Sequence, residues 1–335
     1  MKDQIQIVKP ALGGPQSTTL EARLAKIQDG RLWAYGGTFC ISTPIASTLE
    51  CGFHPQIVEE FFSIPRPEFK LTEHGDFLIL SCGEKDARKT RKFDARTIQS
   101  LIALGRKYPI EKPLEHLNTI ATTCRNNTQC FRQGAWFKDR MIFAMKGSSV
   151  CLSVDGFQFD HPQMGIPADS MQALARMKGE IVSVSFDQLS LQFDFEDGTS
   201  LTTRLLEGLS CPNFMAAFEG YSDVQKFSRL GFSPEVVTEV MSLKLKSQTE
   251  LTEEDMVWHG ENGTLSFTAP NDNTGSFQNA FTGVGSFHIH GEAFRTLLGM
   301  EPGLIGLMRR SVEEPFHSMN GYGDNFAVAA ALSRE

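Results

Sequence analysis

Apolar and polar positions alternate along the chain in short bursts, and the bursts recur. Residues 29–41, 138–151 and 255–267 each read as an apolar strand, a glycine-bearing turn and a second apolar strand, which predicts a hairpin in each place. Gly37, Gly147 and Gly263 mark the turns, spaced by 110 and 116 residues. After each hairpin the apolar period lengthens from two to about 3.6. Residues 54–62, 167–177 and 290–298 therefore predict short amphipathic helices, with Ile57 and Phe61, Met171 and Leu174, and Phe294, Leu297 and Leu298 on their apolar faces.

A further helix is predicted ahead of the second and third hairpins. Residues 113–120 carry Leu117 and Ile120 on one face. Residues 233–241 open with Ser233 as a cap, Pro234 at the first helical position and Glu235 in the first turn. Ahead of the first hairpin the pattern predicts no good helix, and residues 9–19, with Gly13, Gly14 and Pro15, take its place. Strands are predicted to close each copy: 77–82 in the first, 181–186, 189–195 and 201–206 in the second, and 326–332 in the third, with a Glu196-Asp197-Gly198 turn between two of them. Landmarks sharing one period and one order predict an α+β fold of three tandem domains, spanning about 1–111, 112–222 and 223–335.

Composition supports this and narrows the setting. A chain of 335 residues, 41% hydrophobic and 21% charged, can bury a core in each third. No apolar run approaches the roughly 18–20 residues that cross a bilayer, and residues 1–10 alternate apolar and polar instead of resembling a signal peptide, so a cytoplasmic location without membrane partners is expected. The seven cysteines are odd in number and form no CxxC pair; Cys40 and Cys151 sit inside apolar runs. Reduced, buried thiols are expected, not a zinc or redox site.

Charge changes the picture more. The net charge of −8 disfavours a polyanionic partner. Residues 87–112, however, hold eight basic and two acidic side chains, a local +6 that leaves −14 for the rest. That strip is either a solvated basic face or a phosphate-facing one on an acidic body.

Taken together, these features resemble the bacterial DNA polymerase III beta subunit, the DNA sliding clamp, with a diverged phage form as one version of it. The resemblance follows the order of elements over nearly the whole chain and is closest across 135–220. Residues 143–150, Phe-Ala-Met-Lys-Gly-Ser-Ser-Val, look like the family's second-domain hairpin. Residues 203–208, Thr-Arg-Leu-Leu-Glu-Gly, followed by Cys211-Pro212-Asn213-Phe214, look like its linker between second and third domains. The resemblance implies a homodimeric ring, helices lining the hole and antiparallel sheets outside, around double-stranded DNA held without sequence preference. It also implies a replicative DNA polymerase and a clamp loader as partners, no cofactor and no catalysis. Phosphate-facing groups would be Arg106, Lys107, Arg125, Arg176, Lys178, Lys244 and Lys246, all on or beside predicted helices. The peptide pocket for polymerases would involve Gly147, Val150, Leu152, Pro212, Ala217 and Ala331. Two departures fall on that pocket. Lys146-Gly147-Ser148-Ser149-Val150 stands where clamps carry an Asp-Gly-His-Arg-Leu-like turn, and the chain ends Ala-Leu-Ser-Arg-Glu in place of Met-Pro-Met-Arg-Leu.

Two other readings compete. His288 and His290, two apart on a predicted strand, share a face and could chelate a metal, with Glu292, His259 and His317 in the same third. Glu292 is better explained at a helix start, where it complements the helix dipole. The chain has no G-x-S-x-G elbow and no phosphate loop, and Glu253, Glu254 and Asp255 read as a solvated turn. A tandem-domain structural protein would repeat in the same way.

Overall fold

The computed structural model describes residues 1–12, 23–61, 70–83, 86–124, 134–147, 149–218, 223, 225–243, 256–269 and 274–333. One succession of elements runs through it three times. The first passage is α1 (Lys2–Val8), β1 (Ala25–Gln28), β2 (Arg31–Tyr35), β3 (Phe39–Pro44), β4 (Cys51–Phe53), α2 (Pro55–Phe61), β5 (Lys70–His74), β6 (Phe77–Cys82) and β7 (Asp86–Arg91). The second opens with β8 (Lys107–Pro109) and continues α3 (Leu117–Cys124), β9 (Gly134–Lys138), β10 (Met141–Lys146), β11 (Val150–Asp155), β12 (Met164–Pro167), α4 (Ala168–Arg176), β13 (Ile181–Phe186), β14 (Ser190–Phe195) and β15 (Ser200–Arg204). The third runs β16 (Phe227–Phe232), α5 (Pro234–Ser242), β17 (Val257–Glu261), β18 (Thr264–Thr268), β19 (Thr274–Phe277), a short β20 (Phe281–Thr282), β21 (Phe287–His290), α6 (Gly291–Gly299), β22 (Leu304–Met308), β23 (Ser318–Tyr322) and β24 (Phe326–Ala331).

The same tight turn joins the first two strands of the meander in each passage. Asp29-Gly30, Asp139-Arg140 and Asn262-Gly263 all place two successive residues at positive φ, between 50° and 77°. Two-residue turns of this kind match the right-handed twist of the strands they join. This corrects the alignment of the third copy. Gly37 (φ +101°) and Gly147 (φ +54°) lie in the second turn of their meanders, but Gly263 (φ +77°) lies in the first, equivalent to Gly30. A glycine in an apolar stretch marked a turn in all three cases without saying which.

The chain folds as two compact units, each built from two stretches of sequence. The unit Met1–Leu114 with Ile166–Gly208 holds an eight-stranded sheet ordered β4-β1-β2-β3-β15-β14-β13-β8 and a three-stranded sheet ordered β5-β6-β7. The predicted absence of a first helix is overturned here. Ile5 and Val8, three apart, are fully buried, and α1 packs on β2, β3 and α2. The run of 1–10 is too short for its helical period to stand out from alternation. The junction of this sheet is β3 against β15, with Ser42, Ile41, Cys40 and Phe39 opposite Ser200, Leu201, Thr202 and Thr203.

The unit Glu115–Gly165 with Leu209–Glu335 holds a nine-stranded sheet ordered β12-β9-β10-β11-β24-β23-β22-β16-β20 and a four-stranded sheet ordered β19-β18-β17-β21. Here β11 pairs with β24, setting Val150, Cys151 and Leu152 opposite Ala330, Ala329 and Val328. The helix predicted at 113–120 forms later, at Leu117–Cys124, because His116 takes a positive φ of 56° and ends the extended approach. In α5 the Ser233 hydroxyl accepts a hydrogen bond from the Val236 N–H at 3.3 Å, as the cap pattern predicts. Trp136, Phe137, Leu152, Trp258 and Phe294 are all but fully buried in this unit.

Candidate functional site

The ends of six neighbouring strands in the nine-stranded sheet, β10 to β16 in sheet order, frame a cavity of about 600 Å³. Its construction starts with the turn after β10. Gly147 adopts the left-handed conformation, and the Ser149 N–H and hydroxyl both donate to the Lys146 carbonyl, at 3.0 and 2.9 Å. The Ser149 carbonyl then accepts the Ala331 N–H at 2.8 Å. This stitch sets the start of β11 beside the end of β24, so Val150, Cys151, Ala329 and Ala331 all reach the cavity.

A short 3-10 turn, Phe214–Ala217, supplies a further wall. Phe214 stacks on Phe143 with ring centroids 5.0 Å apart and planes 1° from parallel, which fixes the turn against β10. The Asn320 side-chain amide donates to the Ala217 carbonyl at 2.9 Å, holding the other end. Ala216 and Ala217 leave the wall low and apolar.

The opposite side is cationic. Lys226 precedes β16, and Arg309 and Arg310 follow β22, where the Arg309 N–H donates to the Lys226 carbonyl at 3.0 Å. The Arg309 guanidinium donates to the carbonyls of Gln225 and Val312, both at 2.8 Å, and lies 5.6 Å from the Phe316 ring centroid. Partial burial and the neighbouring Arg310 hold His317 below its usual range, against an opposing effect of Glu314, so its ring is neutral near pH 7.

Of the residues the sequence suggested for a peptide pocket, Val150, Ala217 and Ala331 line this cavity. Leu152 is fully buried beneath it, paired with Val328. Gly147 shapes the turn at its edge, and the Pro212 carbonyl accepts the Phe214 N–H at 2.9 Å just before the 3-10 turn. Sequence reasoning missed Lys226, Arg309 and Arg310, and named His317 only as a possible metal ligand. The dibasic Arg309-Arg310 pair closing an apolar strand was the available signal.

The suggested phosphate contacts are scattered. Arg125, Lys244 and Lys246 lie outside the described residues. Arg106 and Lys107 stand at an edge strand and not beside a helix: Lys107 begins β8, and Arg106 lies 5.4 Å from the Tyr108 ring centroid. Lys107 is also ion-paired with Asp194 at 2.9 Å. Burial works against that carboxylate, but Lys107, Gln192 and Ser200 outweigh it and keep Asp194 below its ordinary range. Arg176 ends α4 and Lys178 follows it, both exposed.

The metal reading loses its third ligand. His288 meets His259 across β17 and β21, ring centroids 4.3 Å apart and edge-on, but Glu292 is ion-paired with Lys146. Among the described residues no three His, Cys, Asp or Glu side chains are placed to hold an ion. No helix among them is long and apolar enough to cross a membrane. Cys40, Cys51, Cys124 and Cys151 are buried and in no disulfide, with Cys40 pushed up to about 11 by burial.

No protein-family profile and no curated protein matches the sequence. Solved structures do match its fold. The beta clamp of Helicobacter pylori bound to a DNA ligase peptide aligns with TM-score 0.75 at 12% identity, covering 100% of this chain and 97% of that one. The DNA polymerase III subunit beta of Pseudomonas aeruginosa aligns with TM-score 0.76 at 13% identity over the same shares. A putative DNA polymerase III beta subunit from Eubacterium rectale aligns with TM-score 0.78 at 13% identity, again over 100% and 97%. The chain has the sliding-clamp fold from end to end.

Proposed function

We propose that this protein is a DNA sliding clamp: a non-enzymatic factor that closes around duplex DNA and tethers a replicative polymerase. Its domains span about 1–111, 112–222 and 223–335, and two chains meet head to tail. The observation that carries this reading is an arithmetic of edges. In the repeated succession β3, β11 and β19 are equivalent, and so are β15, β24 and β7. Two of the equivalent junctions are made within the chain, β3 with β15 and β11 with β24. The third pair, β19 and β7, is left among the described residues as two open strand edges. Open edges invite a partner strand, and a second copy offers the complementary one at each end, so two chains satisfy every edge of this kind.

Charge supports the same pairing. Residues 87–112, which include most of β7, carry +6, whereas residues 223–335 hold eight basic and fifteen acidic side chains, a net −7. The basic strip thus serves the joint between copies, and fewer of its members are left for DNA. Exposed Arg106, Arg176 and Lys178 are the described candidates for weak, sequence-blind phosphate contacts. Lys107 shares its charge with Asp194, and Arg125, Lys244 and Lys246 rest on the resemblance alone. The cavity beside Val150 and Ala331 receives the polymerase's peptide, and the Helicobacter clamp, which shares the fold, is itself bound to a DNA ligase peptide. Loading onto DNA in the cytoplasm falls to a clamp loader.

Electron micrographs of the purified protein test the reading directly. Closed rings of two chains are expected, and loaded rings should stay on nicked circular DNA yet run off once it is linearised. Monomers at micromolar concentration with no rings, together with equal retention on circular and linear DNA, would sink it.

A further inference from the structure

The cavity described above is polarised across the sheet, and the polarity specifies more than an apolar anchor. Val150 on β11 and Ala331 on β24 form its apolar end. Moving along the sheet order through β23 to β22 and β16, the lining changes to Arg309, Arg310 and Lys226. Among the described residues no carboxylate lines the cavity. Of the nearby acids, Asp223 sits 3.7 Å from Lys226 and offsets part of its charge, and Glu313 and Glu314 are exposed on the loop after Arg310. Arg309 is held by two backbone carbonyls, which leaves guanidinium donors unspent and the group already oriented.

We infer that the pocket takes an acidic peptide: one whose apolar anchor fills the Val150–Ala331 end while a carboxylate, four to six residues away, meets Arg309, Arg310 and Lys226. The spacing follows from the sheet. Three to four strand intervals at about 4.8 Å separate β11 from β22 and β16, roughly 14–19 Å, and an extended peptide advances about 3.3 Å per residue. This inference rests on the pocket being the partner site proposed above.

The test uses the full chain and fluorescent peptides ending Gln-Ser-Ser-Leu-Phe or beginning with it, each carrying two Asp or two Asn residues about five positions from the Phe. In one of the two orientations the Asp peptide should bind about tenfold tighter than its Asn twin at low salt, as charge-assisted hydrogen bonds to a guanidinium allow. The advantage should fade as salt rises. Arg310→Gln, and separately Arg309→Gln with Lys226→Gln, should bring the Asp-to-Asn ratio toward one. Equal binding of Asp and Asn peptides in both orientations overturns the inference while leaving the pocket intact. A ratio that survives in both variants also overturns it. If none of the four peptides binds the folded protein, the pocket reading itself falls and the inference with it.

Discussion

Reversing two charges on β7 should open the proposed ring. Lys89 and Arg91 sit opposite Ile79 and Phe77 on one face of the three-stranded sheet, and the Lys89 ammonium lies 4.9 Å from the Phe77 ring centroid. Both side chains are exposed, so Lys89→Glu with Arg91→Glu should cost the fold little, within about 0.5 kcal/mol per site. The joint should suffer more. β19 offers four residues, comparable with the four pairs of the β3–β15 junction. Backbone bonds there are worth about 0.5–1.5 kcal/mol each. The substitutions leave those bonds alone, but each reversal subtracts two charges, so the strip falls from +6 to +2 against a region of −7. At about 0.5–1 kcal/mol for each exposed charge, one joint loses about 1–2 kcal/mol. The proposed ring has two joints, and the loss becomes about 2–4 kcal/mol, roughly 30- to 700-fold in the dimer dissociation constant. Sedimentation equilibrium from low to high salt is the assay. The parent dimer should loosen with salt, and the variant should begin loose and change little. A variant dissociation constant within about threefold of the parent at low salt would refute the placement of β7 in the joint.

Other outcomes follow from the same geometry. Ala331→Phe places a ring in the cavity floor and should weaken binding of an apolar-anchored peptide by tenfold or more, since one buried anchor is worth roughly 1.5–3 kcal/mol; fluorescence anisotropy reads it, with dimer formation as the control. Asp194→Asn removes the Lys107 pair and should cost about 1–3 kcal/mol at neutral pH. Because the Asp194 carboxyl is held below its ordinary 3.8, that stability is present above pH 3.8 and lost as pH falls through the lowered value, so parent and variant should converge in strong acid by denaturant titration. Gly263→Ala meets a φ of +77° with a Cβ only 3.2 Å from the Phe281 carbonyl oxygen and should cost about 1–2 kcal/mol, visible as a lowered melting temperature.

The hairpins, β6, β13, α4 and α6 were legible because long apolar runs or a clear 3.6-residue period pinned them within one or two residues. The first helix was not: seven residues give two turns, too few for Ile5 and Val8 to separate helix from alternation. The third copy was placed one turn out of step because glycine marks both the first and second turn of a meander. Val150, Ala217 and Ala331, which line the cavity, were named from the resemblance of a turn, a linker and the C-terminal strand. Lys226 and Arg309 were not, since strands far apart in sequence bring them there through sheet order, which no local pattern encodes. The basic strip was legible as charge, but Arg106 and Lys107, expected beside a helix, stand at the edge strand β8. Its members lie on β7, on β8, in the segment between them and, for Lys112, just after β8.

The pairing of β11 with β24 also sets a clock on synthesis. About 175 residues separate the two strands, which a ribosome adds in roughly 10–35 s at about 5–20 residues per second. Throughout that interval β11, with Val150, Cys151 and Leu152, waits at the rim of a half-built sheet while its mate is still being translated. The nascent chain therefore passes through a stage with an apolar, unpaired strand on display, the state in which chains most readily stick to one another. Messages truncated before codon 326 would freeze the protein at that stage, so their products should sediment with aggregates or occupy chaperones even though most of the fold has been encoded.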